Sequence, residues 1–206
     1  MKLSKAKLNH YLKSLPAPLV GIDEVGRGCL AGPVYAAAVC FKSEIDIKKY
    51  KDSKAVDEIT RRKLSESVQR NHHTAIGIAT VDEIDQFNIL QATFIAMRRA
   101  VEQLAEQVDL KNATLLIDGR DKIPKFDRYN QLAIIEGDDK VRLISAASLV
   151  AKVARDQFMT DLAAQFVNYG FERHKGYATQ FHRDQIQKFG PSEWHRQTFA
   201  GVREYC

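Results

Sequence analysis

Leu19-Val20-Gly21-Ile22-Asp23-Glu24-Val25-Gly26-Arg27-Gly28 runs from an apolar stretch straight into two carboxylates and a glycine cluster. Leu19 to Asp23 has the length and character of a short buried strand, and Gly26 and Gly28 close it. An acid has no apolar reason to stand there, although a lone Asp23 is better explained by a turn or a solvated strand end. The pattern then recurs. Thr114 to Asp118 is a second apolar strand ending in an acid, stopped by Gly119, and Asp138 and Asp139 follow a strand expected over Leu132 to Glu136.

Outward from this strand, residues 1–18 read as a polar arm ending at Pro16 and Pro18, and Val34 to Phe41 as a strand small and apolar enough for a sheet centre. Lys48 to Val56 is a charged loop, Asp57 to Arg70 a helix and Thr74 to Val81 a third strand. Phe87, Leu90, Phe94, Met97, Val101, Leu104 and Val108 recur every three or four residues and draw one apolar stripe on a long helix that faces the core. Pro124 to Asn130 is loop. A further helix starts near Ser145, with Val150, Ala154, Phe158, Leu162 and Phe166 at four-residue spacing. Three strands, then helix, strand, helix, strand, helix predict an α/β mixed sheet, because a strand–helix–strand passage implies a parallel crossover. Such sheets place their sites at strand ends, where these acids lie.

The 206 residues suffice for one well-buried domain. No repeat or linker divides them, so 1–206 is expected to be a single domain, with a catalytic core over about 19–170 and an appendage over about 171–206. Residues 171–206 differ in composition, holding seven aromatics, three of the six histidines, and six Lys or Arg against four Asp or Glu. A net charge of +5 favours a polyanionic partner. Cys29, Cys40 and Cys206 form no Cys-x-x-Cys pair, which argues against a disulfide framework or a cysteine zinc site and fits a reducing cytoplasm. The first twenty residues lack the apolar core of a signal peptide, and no apolar run approaches the length of a membrane span. A soluble, cytoplasmic protein is expected.

Clustered carboxylates repel one another and raise each other's pKa unless a cation neutralises them. All-oxygen sites suit Mg²⁺ or Mn²⁺ rather than zinc, and two such ions about 4 Å apart can drive phosphodiester hydrolysis. One geometric difficulty stands: adjacent strand residues face opposite ways, so Asp23 and Glu24 share a site only if the strand ends or bulges there. Gly26-Arg27-Gly28 lacks the spacing of a nucleotide-binding fingerprint and reads either as a tight turn or as backbone that closely approaches a ligand.

These residues resemble a known family, type 2 ribonuclease H. Gly21 to Gly28, continuing Leu30-Ala31-Gly32-Pro33, is similar to its opening motif, and Asp52-Ser53-Lys54 to its lysine-bearing loop. Asn88 to Thr93 with Met97 to Ala100 resembles its long helix, Ile117-Asp118-Gly119 its third acidic motif, and Gly137-Asp138 its fourth. Ser145 to Asp156 is similar to the family's most recognisable helix, and His174-Lys175-Gly176-Tyr177 to its C-terminal motif. The seven stretches run in family order. Departures are few: Val25 replaces the usual alanine, Cys29 a common proline, Ala55 a second lysine, and Glu136 a lysine.

The resemblance implies an RNase H-like sheet of three antiparallel strands followed by parallel ones, flanked by helices, with a small helical C-terminal appendage. It implies a catalytic, metal-binding set of Asp23, Glu24, Asp118 and Asp138 holding Mg²⁺ or Mn²⁺, two ions during catalysis, with Asp139 the competitor for the fourth place. Gly26, Arg27 and Gly28 are expected along the ribonucleotide and Tyr177 near its 2′-hydroxyl, with Lys54, Lys152 and Lys175 on phosphates. Read alone, Tyr177 is a packing aromatic, the lysines are surface residues, and Asp156 is a helix-surface acid or one that supports the site. The implied activity cuts the RNA strand of RNA–DNA hybrids and cuts 5′ of single ribonucleotides in duplex DNA. That would remove misincorporated ribonucleotides, by a monomer with no membrane partner. A type 3 ribonuclease H would carry an extra N-terminal domain, and only about 18 residues precede the first strand. A catalytically silent hybrid-binding module would have lost one of the four acids.

Overall fold

A computed structural model describes residues 5–42, 49–50 and 56–206. The expected phosphate-binding Lys54 lies outside the described residues. Leu19–Val25 forms β1, Val34–Cys40 β2, His73–Ala79 β3, Thr114–Asp118 β4 and Asn130–Ile134 β5. They make one sheet in the order β3-β2-β1-β4-β5. Pairing is antiparallel among β1, β2 and β3, and parallel from β1 to β4 and from β4 to β5. This is the mixed sheet the sequence leads one to expect. The alternation is broken once: residues 119–129 cross from β4 to parallel β5 without a helix.

Two long helices sandwich the sheet, α3 (Val81–Ala105) on one face and α5 (Arg142–Ala163) on the other. Strand periodicity of two sorts the side chains. Val20 and Ile22 of β1, with Ala36 and Ala38 of β2, join Phe94, Met97, Val101 and Leu104 of α3. Ala37 and Val39 of β2 join Ile144, Ala147, Val150 and Ala151 of α5. β2 is buried along its whole length and, Tyr35 apart, is built from small or β-branched residues. Each large apolar side chain so buried contributes about 1.5–3 kcal/mol. Gly21 is required by close approach, since a Cβ there would collide with the Leu143 carbonyl group at the start of α5.

Three expectations are corrected. Residues 1–18 contain a helix, α1 (Lys5–Lys13), whose Leu8 and Leu12 lie four apart and bury against the α5 side of the sheet. The apolar stripe of α3 does not run unbroken: Asn88 has φ +68°, and its side chain accepts from the amides of Leu90 and Gln91, so a fresh helical start begins there. Phe87 and Leu90 consequently remain exposed. β5 lies two residues earlier than expected, because Gly137–Lys140 forms a one-turn helix, α4, that carries Asp138 and Asp139.

Other boundaries follow from capping. Asp57 caps α2 (Glu58–Asn71) through the Thr60 amide, and Thr80 with Glu83 forms a capping box that ends β3 and opens α3. The C-terminal stretch holds α6 (Phe171–His174) and α7 (Gln180–Phe189). It folds back on residues 29–33 through bridges between Cys29 and Tyr177 and between Ala31 and His195. Among the described residues no helix is long and apolar enough to cross a membrane.

Candidate active site

A cleft of about 400 Å³ opens where the sheet's parallel half ends, lined by Asp23, Glu24, Arg61, Asp118, Asp138, Ser148, Lys152 and Tyr177 among others. Register explains its place. Parallel pairing of β1 with β4 stops at Ile22 and Ile117, whereas antiparallel pairing with β2 continues regularly to Val25 and Tyr35. Beyond Ile22 the β4 side of β1 is therefore open. Asp23 and Glu24 share the cleft because it lies across this open end, and the ladder to β2 shows no bulge.

The carboxylates are fixed individually. Asp23 is 5% exposed and accepts the Glu24 amide at 2.8 Å, with the Ser148 hydroxyl as a further partner. Asp118 ends β4 and accepts the Gly137 amide at 2.6 Å, which ties β4 to the first turn of α4. That turn buries Asp138, whereas Asp139 is exposed and does not line the cleft. Glu24 is bridged by Arg27, Nη1 to Oε1, at 3.2 Å.

Burial, and then repulsion from Glu24 and Asp118, pushes the Asp23 carboxyl well above the usual carboxylate range, against the Ser148 hydrogen bond. Burial also raises Glu24, with Arg27 opposing and Asp118 adding. Asp23 and Glu24 thus hold protons more tightly than free carboxylates do, as perturbed groups at functional sites often do.

Lys152 and Tyr177 line the same cleft. Lys152 Nζ pairs with Asp156 at 2.7 Å and lies 5.7 Å from the Tyr177 ring centre. Asp156 supports this lysine and does not itself line the cleft. Tyr177 is 41% exposed, and burial of its phenol, with Cys29 beside it, raises its pKa and keeps it a neutral donor.

A histidine chain holds its main chain. The Ser192 amide donates to His195 Nδ1 at 2.9 Å, so that nitrogen is bare and the neutral ring carries its proton on Nε2. Nε2 then donates to His182 Nε2 at 3.0 Å, and His182 Nδ1 donates to the Tyr177 carbonyl at 2.9 Å.

Six of the expected site residues therefore converge: Asp23, Glu24, Asp118, Asp138, Lys152 and Tyr177. Gly26, Arg27 and Gly28 follow directly on β1, with Arg27 reaching Glu24. Lys175 does not line the cleft, since its Nζ bonds Thr160 Oγ1 and the Glu172 carbonyl, each at 2.7 Å. Sequence reasoning missed Arg61 and Ser148 in the lining, and the buried Arg155 and Arg196 beneath the glycine-rich loop. Ser148 stands four residues before Lys152 on α5, and that helical spacing was an available signal.

Comparison with known proteins agrees with this geometry. The sequence profile of the family described as Ribonuclease HII matches residues 20–202. Ribonuclease HII of Pelagibacter ubique is 44% identical over 186 residues, 90% of this chain and 97% of its own length. The chain also superposes on ribonuclease HII from Archaeoglobus fulgidus, in a structure of its complex with PCNA, with a TM-score of 0.72 at 23% identity, covering 89% of this chain and 95% of that one. Bst-RNase HIII in complex with Mn²⁺ gives 0.74 at 17% identity, covering 98% and 73%. The two structural likenesses speak for the fold, and the profile and the relative for descent: the chain belongs to the ribonuclease HII family and is a ribonuclease H.

Proposed function

We propose that this ribonuclease H is a metal-dependent endonuclease that cuts the RNA strand of RNA–DNA hybrids and cuts 5′ of single ribonucleotides in duplex DNA. The products are 3′-hydroxyl and 5′-phosphate ends, and the role is removal of misincorporated ribonucleotides by a cytoplasmic monomer. One observation carries the reading: carboxylates from β1, β4 and α4 line a single cleft together with Tyr177 and Lys152.

The donor set fits a hard divalent cation. Asp23, Glu24, Asp118 and Asp138 offer only oxygens, and burial and the Asp118 charge hold Asp23 and Glu24 raised. Among the described residues no three His, Cys, Asp or Glu side chains are already drawn into a finished cage. Arg27 is the partner of Glu24. The four acids would hold Mg²⁺ or Mn²⁺, the latter being the ion named for Bst-RNase HIII. Two such ions, when bound, activate a water and stabilise the leaving oxygen.

The chain's own residues do the rest. The Gly137 amide fixes the plane of the Asp118 carboxylate. Asp138 rather than Asp139 completes the acids, because only Asp138 faces the cleft. The neutral Tyr177 phenol donates to the ribose 2′-hydroxyl, the group that distinguishes RNA from DNA. Gly26, Arg27 and Gly28 lie along the same nucleotide. Lys152 meets the phosphate at the cleft, and Lys54 and Lys175 also meet phosphates of the duplex.

The test is incubation with duplex DNA carrying one ribonucleotide, with and without Mg²⁺, and mapping of the ends. A Mg²⁺-dependent cut on the 5′ side is expected. A cut on the 3′ side, or none with either Mg²⁺ or Mn²⁺, overturns the reading.

A further inference from the structure

Two fully buried guanidinium groups hold the loop that follows β1 from beneath. Arg196 donates from Nη2 to the Gly26 carbonyl at 2.6 Å and from Nη1 to the Arg27 carbonyl at 2.8 Å. Its Nε and Nη2 also reach the Gly32 carbonyl at 3.0 and 2.8 Å. Arg155 donates to the carbonyls of Pro33, Ala31 and Lys175 at 3.0, 3.0 and 2.8 Å. All seven bonds end on main-chain carbonyls, so these two cations shape backbone.

The C=O and N–H of a trans peptide point in opposite directions. Drawing the Gly26 carbonyl inward therefore turns the Arg27 amide outward, and drawing the Arg27 carbonyl inward does the same to the Gly28 amide. Both residues are exposed, and among the described residues nothing accepts from either amide. The result is a pair of consecutive donors fixed on the surface beside the carboxylate cleft.

The two glycines then have different reasons. Gly26 has φ +96°, and a Cβ there would strike the Arg155 guanidinium, so its requirement is internal. Gly28 has no positive φ, and a Cβ on it would meet no protein atom within 4 Å. Nothing inside the molecule requires glycine at 28. What its missing side chain clears is the approach to the two amides.

We propose that Arg196, backed by Arg155, is a positioning residue for substrate selection, holding the Arg27 and Gly28 amides ready as paired donors to an oxygen of the ribonucleotide. This rests on the reading that the loop lies along that nucleotide. A fork bonded to two successive carbonyls fixes both peptide planes before the substrate arrives, and donors already in place cost no ordering on binding. A lysine keeps the charge but has no planar fork.

The measurement is KM and kcat on a duplex with one ribonucleotide, alongside the inhibition constant of the same duplex in all-DNA form. The ratio of inhibition constant to KM is the discrimination. Arg196→Lys should lower that ratio about tenfold, the loss of one or two hydrogen bonds, and leave the all-DNA inhibition constant unchanged. Gly28→Ala should give a similar loss at an unaltered melting temperature, and it decides the matter if Arg196→Lys fails to fold. A ratio within about twofold of wild type in the folded variants overturns the proposal, as does equal weakening toward both duplexes. If wild type itself prefers neither duplex, the reading of the loop falls and takes the proposal with it.

Discussion

The carboxylate cleft and the interior beneath the glycine-rich loop are both polar and both buried, yet they are built on opposite terms. In the cleft, burial raises the proton affinity of Asp23 and Glu24, Glu24 and Asp118 push Asp23 further up and Asp118 does the same to Glu24, with Ser148 and Arg27 offsetting only part of the strain. Beneath the loop, Arg155 and Arg196 spend seven hydrogen bonds on carbonyls, and His182 and His195 are chained neutral from Ser192 to Tyr177. One region keeps two carboxyls raised despite the cations around it. The other is satisfied within the protein and fixes shape. Reactivity and rigidity are thus separated, and mutations should separate them too.

The largest expected effect is on the reactive side. Asp118→Asn keeps the oxygen that accepts the Gly137 amide and removes the charge that raises Asp23. Cleavage should fall by about three orders of magnitude, ~4 kcal/mol in barrier, while the urea midpoint holds or rises. Turnover above about a tenth of wild type, a loss under ~1.4 kcal/mol, would remove Asp118 from the reaction. A collapse of stability would show that the cleft, too, is mainly structural.

Arg155→Met tests the rigid side in mirror image. It leaves the carbonyls of Ala31, Pro33 and Lys175 without their donor in the interior. The expected cost is about 3 kcal/mol of stability by urea unfolding. A variant as stable as wild type would mean these carbonyls find other partners and that the loop is not held from below.

The two regions also titrate in opposite senses. Burial lowers His182 to about 4, with His174 adding, and His195 to about 3, with His182 adding, from an ordinary 6.5. Unfolded histidines therefore take up protons first as pH falls. The stability they contribute is present above about 6.5 and is lost from there down to about 3–4. Asp23 and Glu24, raised, contribute stability at low pH that is lost as pH rises through their folded values. The unfolding free energy from urea melts should fall by on the order of 2 kcal/mol from pH 7 to 4, allowing for the coupling of the two rings. The fall should be steeper in Asp118→Asn, whose opposing carboxylate contribution is smaller. A flat profile in both proteins would contradict the neutral chain.

The reactive region was legible in the sequence and the rigid one was not, for a physical reason. A strand announces itself by apolar runs, and an acid at its end stands out against them, so Asp23, Glu24 and Asp118 could be read from residue type and place. Asp138 was chosen over Asp139 by likeness alone, and burial in α4 is what separates them. Arg155 and Arg196 bond carbonyls more than 120 residues away, such as those of Pro33 and Gly26. Every residue carries a carbonyl, so no pattern of side chains marks these partners. The break at Asn88 was hidden for a related reason: its φ of +68° leaves the spacing of the apolar residues unaltered.

Tyr177 joins the two regions, and it gives the smallest and most discriminating test. Its carbonyl is held by His182 in the rigid interior, while its ring and phenol face the cleft with Lys152 alongside. Tyr177→Phe removes one donor and leaves both attachments, so cleavage of a duplex with one ribonucleotide should lose about 0.5–1.5 kcal/mol. Tyr177→Ala also removes the ring and should lose about another 1–3 kcal/mol if the ring stacks on the substrate. Neither change should move the melting temperature much, because the ring is 41% exposed and the carbonyl on which the histidine chain ends belongs to the main chain. If the alanine variant cuts that duplex as fast as wild type at equal stability, Tyr177 belongs wholly to the rigid interior. The boundary between shape and chemistry would then lie at the carboxylates alone.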